Sequence, residues 1–267
     1  MRNKVCFRRC MEKLLRRTMN ICAAPIAAYL AAVISNPKFR SAVIDIYDHF
    51  YGHKYYFDPL MRLAHEAEAE SADFIKNHLA RAVLFRKPFV RSFWNFALSK
   101  APRDGLFCEF GVFNGSSINY FAAKRPEVTW HGFDSFEGLP GDWSQGNALP
   151  KGTFDLKGSG LPVVRQNVEL HQGWFDKTLP KFAERNAGKM SFMHIDCDMY
   201  SSTKTVFEIL GDRIQAGTII VFDEFLNYPG WQEHEYKAFM EFCEARRVKY
   251  SFIAFNSYRA AVMIEAP

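Results

Sequence analysis

The 267-residue sequence predicts an α/β fold: a mostly parallel sheet covered by helices on both faces, with an antiparallel last strand. Three observations lead there. From residue 106 onward, short apolar β-rich runs alternate with helical stretches. The last two runs are separated only by Asn256-Ser-Tyr-Arg259, a hairpin length, so the final strand turns back on its neighbour. Residues 36–100 have a different, mostly helical texture.

The elements follow in order. Leu60–Glu70 is rich in helix formers, and Asp73–Val83 continues with apolar positions at three- and four-residue spacing. Seven strands are expected: Leu106–Phe110, Thr129–Phe133, Val168–His171, Ser191–Ile195, Thr218–Phe222, Tyr250–Phe255 and Ala260–Glu265. Helices are expected to begin near Ser116, Thr178, Ser201 and Gln232. Residues 142–166 stand apart, with four glycines, two prolines and few periodic apolar residues. A loop of that length inside a compact domain is usually functional, often a lid.

Charge is local. The net charge is +5, but residues 1–20 hold seven Arg/Lys and one Glu, which leaves the rest at −1. A near-neutral body argues against a nucleic-acid binder. The six cysteines form no close CxxC pair, which reads as reduced thiols in a cytosolic protein. The N-terminus keeps several readings. Phe7, Cys10, Met11, Leu14 and Leu15 repeat at helical spacing among arginines, and a 14-residue apolar run, Ile21–Ile34, follows with Pro25 inside it. That run is short for a membrane span. A basic amphipathic helix on an anionic membrane, a signal or anchor, and a helical extension packed on the body or on a second subunit all fit residues 1–34.

Two acidic pairs close apolar strands: Asp196 and Asp198 after Ser191–Ile195, and Asp223 and Glu224 after Thr218–Phe222. Carboxylates are expensive to bury alone, so two such pairs suggest a hard-cation site or acid/base chemistry. Capping of the following helices is the plainer reading of either pair. Three further segments bear on the choice. In Phe107-Cys-Glu-Phe-Gly-Val-Phe-Asn-Gly-Ser-Ser117, a strand enters a turn with Gly111 and Gly115 and opens a helix at Ser116. Such a helix start offers free N–H groups and a positive dipole to an anion. The spacing, Glu109-x-Gly-x-x-x-Gly, departs from the pyrophosphate-binding Gly-x-Gly-x-x-Gly. Asp134, in Trp130-His-Gly-Phe-Asp-Ser-Phe-Glu-Gly-Leu-Pro140, ends the next strand, where an acid can accept ribose hydroxyls. Gln172 and Gly173 are placed to line a nucleobase pocket, with Trp174 as a wall.

In this order the segments Glu-Phe-Gly-Val-Phe-Asn-Gly-Ser-Ser, Gly-Phe-Asp-Ser-Phe-Glu-Gly-Leu-Pro, His-Ile-Asp-Cys-Asp-Met-Tyr-Ser-Ser-Thr and Phe-Asp-Glu-Phe…Tyr-Pro-Gly-Trp resemble the macrocin O-methyltransferase family over roughly residues 100–265. These are class I, Rossmann-like, S-adenosylmethionine-dependent enzymes that methylate sugar hydroxyls. The resemblance implies a seven-stranded methyltransferase domain over residues 100–267 behind a helical N-terminal extension over 1–99. It implies S-adenosylmethionine on Glu109, Gly111, Gly115, Ser116, Asp134 and Ser135, with Gln172 and Gly173 beside the base. It implies a divalent cation, usually Mg²⁺, on Asp196, Asp223 and Glu224, and Asp198 as the base that deprotonates a small-molecule or glycan hydroxyl. One departure matters: some family members carry Asp where this chain has Glu224. A catechol or phenol acceptor, and a nicotinamide-dependent oxidoreductase on the same strand–turn–helix, are the alternative readings. A homo-oligomer, and peripheral membrane contact through residues 1–34, are the partner expectations.

Overall fold

A computed structural model describes residues 59–86, 89–143 and 149–266, together with Asn36. The chain divides into two compact units, residues 1–62 and 63–267. The basic and apolar segments of residues 1–34, and the membrane and oligomer readings attached to them, lie outside the described residues. Among the described residues no helix is long and apolar enough to cross a membrane.

The second unit is built on one sheet. Its elements are helix α1 (Pro59–His78, entering from the first unit), β1 (Val83–Leu84), α2 (Val90–Lys100), β2 (Leu106–Phe110), α3 (Ser116–Lys124), β3 (Trp130–Asp134), β4 (Val168–Gln172), α4 (Phe175–Arg185), β5 (Met190–Ile195), α5 (Tyr200–Leu210), β6 (Ile219–Phe222), α6 (Glu235–Arg246), β7 (Tyr250–Phe255) and β8 (Ala260–Ile264). The strand order is β1-β7-β8-β6-β5-β2-β3-β4. β8 runs antiparallel to both neighbours, β6 and β7, and the other pairings are parallel. The antiparallel last strand therefore follows from the four-residue hairpin, as the sequence predicts.

One strand was not expected. Val83–Leu84 pairs with the outer edge of β7, which makes the sheet eight-stranded, and helix α1 stops at His78 instead of running on to Val83. Both residues are exposed, so no burial pattern marks them; only the free edge of β7 recruits them. Residues 63–99 also belong to the sheet's own compact unit. The reason is aromatic burial: Phe74 of α1 packs among Phe225, Trp231, Tyr236 and Phe252, while Phe93 of α2 is fully buried on the other face.

The core is two apolar layers, one on each face of the sheet. Cys108, Phe110, Met193, Ile195, Ile220 and Phe222 pack toward the layer of α1, α4, α5 and α6. Phe107, Phe192, Ile219 and Val221, from the same strands, pack toward α2 and α3. Period-two alternation sends successive side chains to opposite faces, and both faces are covered, so the central strands are apolar throughout. Ser191, Glu109 and His194 break this rule, all fully buried, and the last two are register partners on β2 and β5.

The chain winds outward from β2 to β3 and β4, then returns to β5 and winds the other way to β6. Strands β2 and β5 thus flank the topological switch point, where the loops beyond their carboxyl ends part and leave a crevice for ligands.

Candidate active site

A cavity of about 600 Å³ opens at that switch point, a size suited to a small-molecule ligand. Its floor joins the turn after β2 to the turn after β5. Gly111 has φ +91°, and a Cβ placed on it would lie 1.7 Å from the carbonyl oxygen of Asp196. Only glycine lets these two turns meet. The backbone N–H of Asp196 donates to the carbonyl of Phe110 at 2.9 Å, which fixes the junction.

On one side lies the start of α3. Gly115, in the left-handed region at φ +78°, turns the chain into Ser116 and Ser117, which line the cavity. Asp134 braces this turn: Oδ2 accepts the N–H groups of Val112 and Phe113, both at 2.7 Å, and Oδ1 accepts that of Phe136 at 2.7 Å. A carboxylate offers roughly four lone-pair directions, so one remains, on Oδ1. Asp134 and Ser135 both face the cavity, and so does Trp174, the N-cap of α4. Of the residues expected at the cofactor, Gly111, Ser116, Asp134 and Ser135 line the cavity; Glu109, Gly115, Gln172 and Gly173 do not. Glu109 points to the α2/α3 face of the sheet, where it accepts the Ser117 hydroxyl and pairs with His194 Nδ1 at 3.3 Å. Its role is to hold the turn from beneath.

On the other side is the acidic cluster. Asp196, Asp198, Asp223 and Glu224 all line the cavity. One ligand atom each of Asp196, Asp198 and Glu224 lies within 4.8 Å of the others. Glu224 Oε2 is buried without a hydrogen-bond partner. Burial, together with the Asp223 charge, pushes the Asp196 and Glu224 carboxyls well above the ordinary range. The same two causes raise Asp198, to about 7. Asp198 also adopts φ +60°, a conformation uncommon outside glycine and characteristic of strained functional turns.

Asp223 has a different surrounding from the one expected of a metal ligand. Arg259 donates to both its oxygens, from Nε to Oδ1 and from Nη2 to Oδ2, the latter at 2.6 Å. His194 Nε2 stands 3.6 Å from Oδ1. Burial works to raise Asp223, but His194 and Arg259 outweigh it and hold the carboxyl below its usual value. His194 in turn resists burial because Asp223 and Glu109 flank it, and its pKa rises to about 10. Asp223 is the counter-ion of this cationic pair. In this arrangement a guanidinium contacts both oxygens of Asp223, the residue expected as a metal ligand. The oxygens facing the open cluster belong to Asp196, Asp198 and Glu224.

Several participants were missed in the sequence. Arg259 closes the β7–β8 hairpin, where Asn256 Oδ1 accepts the N–H groups of Tyr258 and Arg259 at 3.0 Å and so aims the arginine at Asp223. Glu235, fully buried at the start of α6, accepts the Glu224 N–H at 3.3 Å and leaves Oε1 unpartnered. His194 bridges Glu109 and Asp223. Its one signal was position, directly across the register from Glu109.

The described part of the 142–166 segment folds back on the preceding loop. Leu139 and Thr153 pair at 2.8 Å, Trp143 and Leu149 exchange two backbone bonds, and Asn119 of α3 bonds the chain at Val163 and Arg165. Phe154 meets Phe113 edge-on at 5.4 Å, and both rings line the cavity.

Residues 108–225 match the family model described as a methyltransferase domain. A curated relative from Streptomyces olivaceus, 8-demethyl-8-(2,3-dimethoxy-alpha-L-rhamnosyl)-tetracenomycin-C 4'-O-methyltransferase, is 27% identical over 144 residues, which are 45% of this chain and 53% of that protein. The chain thus matches about half the length of that relative. The crystal structure of CalS11, a calicheamicin methyltransferase, superposes with a TM-score of 0.54 at 23% identity, over 65% of this chain and 76% of the other. That likeness is one of fold, and it is the class I methyltransferase fold.

Proposed function

We propose, for a chain that carries a methyltransferase domain with macrocin O-methyltransferase motifs, that it moves a methyl group from S-adenosylmethionine to a hydroxyl of a sugar or sugar-containing small molecule. The observation that carries this reading is the meeting, across one cavity, of an anion-accepting helix start and a cluster of buried carboxylates. The cofactor fits the near side. The Ser117 N–H at the helix start would receive its carboxylate, beside the Ser116 N–H that Asn114 Oδ1 accepts at 3.0 Å; the free Oδ1 direction of Asp134 and the Ser135 hydroxyl would meet ribose, and Trp174 would wall the base. The relative's name, an O-methyltransferase acting on a rhamnosyl group, supports a sugar acceptor.

A sugar hydroxyl is a weak nucleophile, so the chain's main tasks are positioning it in line with the methyl group and removing its proton. Asp198 is our choice of base. It lines the cavity, its backbone is held in a strained turn, and burial beside Asp223 raises its basicity. Glu109 and His194 lie beneath the cavity lining and hold the two turns, while Arg259, at the cavity wall, neutralises Asp223. The donor set Asp196 and Glu224, with Asp198 alongside, fits a hard divalent cation, because Glu224 Oε2 is buried and unsatisfied while three carboxylates face one another. When bound, such an ion would orient neighbouring hydroxyls and lower the pKa of one.

Calorimetry with S-adenosylmethionine and with NAD, followed by methyl transfer to sugars, diols and catechols with and without Mg²⁺, tests the reading. S-adenosylmethionine binds and a sugar substrate is methylated; Asp198→Asn keeps cofactor affinity and loses turnover. Binding of NAD alone would refute the methyltransferase reading, and full activity of Asp198→Asn would remove Asp198 as base.

A further inference from the structure

Of the three clusters of potential metal-ligating side chains among the described residues, one lies wholly outside the cavity, on the open edge of the sheet. Strands β3 and β4 pair in parallel with His131 opposite Glu169 and Phe133 opposite His171. Alternation therefore sends His131, Glu169 and His171 to one face. His131 Nδ1 lies 3.2 Å from His171 Nε2 and 3.5 Å from Glu169 Oε2. Both rings are fixed by packing: His171 stacks on Phe133 at 4.5 Å and 12°, and His131 meets Phe182 edge-on at 4.8 Å. None of the three residues lines the catalytic cavity.

We infer that His131, His171 and Glu169 form a second metal site, for a borderline transition-metal ion such as Zn²⁺, distinct from the acidic cluster. The spacing is the argument. Ligand atoms about 2.0–2.2 Å from a tetrahedral Zn²⁺ lie ~3.3–3.6 Å from one another; the 3.5 Å separation falls in that range and the 3.2 Å one just below it. Two imidazoles and one carboxylate suit Zn²⁺ and its neighbours in the first transition row, and disfavour Mg²⁺. Glu169 is the exposed member, with 64% of its side chain accessible, so the remaining coordination position faces solvent.

The ion's effect is mechanical. His171 is followed by Gln172, Gly173 and Trp174, and Gln172 is the register partner of Asp134. Clipping β4 to β3 fixes the edge strand that leads to the Trp174 wall. Metal binding thus stiffens the cofactor pocket without entering it. A proton shared between the two imidazoles would account for the 3.2 Å contact equally well, and the experiment separates the two.

The chelator-stripped full chain is titrated with ZnCl₂ in excess Mg²⁺, by calorimetry and by thermal unfolding, and with Co²⁺ while visible absorption is followed. The comparison is with Glu169→Gln and His171→Gln. The wild type takes up one Zn²⁺ that both variants lose, each by at least about tenfold in affinity, since even outer-shell partners of metal sites are worth that much. Its melting temperature rises with Zn²⁺ while that of the variants does not, and Co²⁺ gives the absorption of a low-symmetry four-coordinate ion only in the wild type. Zn²⁺ bound to the acidic cluster would be common to all three proteins and cancels in the difference. Equal Zn²⁺ affinity and equal thermal response in wild type and both variants would overturn the site.

Discussion

Replacing Arg259 with alanine probes how the acidic cluster is held together. Asp223 is nearly buried, with 9% of its side chain accessible, and Arg259 donates to both of its oxygens. Around it stand Glu109, Asp196, Asp198 and Glu224, whose carboxyls are all raised by burial and, in every case, by the Asp223 charge. Arg259→Ala leaves Asp223 with His194 alone. Removing one partner of a buried pair costs about 3–5 kcal/mol. Arg259 keeps 22% of its side chain accessible, which favours the lower figure, about 3 kcal/mol. In a domain of this size each kcal/mol moves the melting temperature by roughly 2–4 °C, so the expected fall is about 6–12 °C. Thermal unfolding followed by circular dichroism measures it, with urea midpoints as the check. The double variant Arg259→Ala/Asp223→Asn removes the stranded charge along with its partner and recovers most of the loss. A fall under about 2 °C, or a double variant no better than the single one, would refute Arg259 as the counter-charge of this cluster.

Gly111→Ala forces a left-handed conformation worth about 1–2 kcal/mol against alanine and drives its methyl group into the Asp196 carbonyl. Calorimetry should show S-adenosylmethionine affinity falling about tenfold or more, and unchanged affinity would deny the contact between the two turns its role. Phe154→Ala removes an edge-on pair worth about 0.5–1.5 kcal/mol, so steady-state kinetics should give a KM for the acceptor raised by about 2- to 12-fold with little change in kcat. A purely kcat effect would place Phe154 elsewhere in the cycle. Glu235→Gln keeps an acceptor for the Glu224 N–H while removing a buried carboxyl that burial and the neighbouring carboxylates push toward its neutral form. The melting temperature should hold or rise, and a drop of more than about 3 °C would mean that the charge itself is structural.

Most of the fold was legible because burial on both sheet faces leaves long apolar runs, and those runs bound β2 to β8 to within a residue or two. Val83–Leu84 was not legible, since an exposed two-residue strand exists only by pairing with a neighbour far along the chain. In the site, the strand-end carboxylates and the Gly111–Ser117 turn announced themselves through chemistry that is costly without a purpose. Arg259 read as a turn residue, and Glu235 as one more helix acid. Each is brought to the cluster by an element whose sequence says nothing of its destination: a hairpin tip folded over β6, and a helix start packed beneath Glu224.

The sequence alone therefore determined seven of the eight strands, that the last runs antiparallel, and that carboxylates gather beyond strand ends. Those features follow from local patterns, apolar runs, glycine turns and loop lengths. Only the tertiary structure decided how the carboxylates divide their work. Asp223 is neutralised by Arg259 and His194, while Asp196, Asp198 and Glu224 face open space together. Charge partners act through space at a few ångströms, and strand register brings together groups far apart in the chain, such as Glu109 and His194, 85 positions apart.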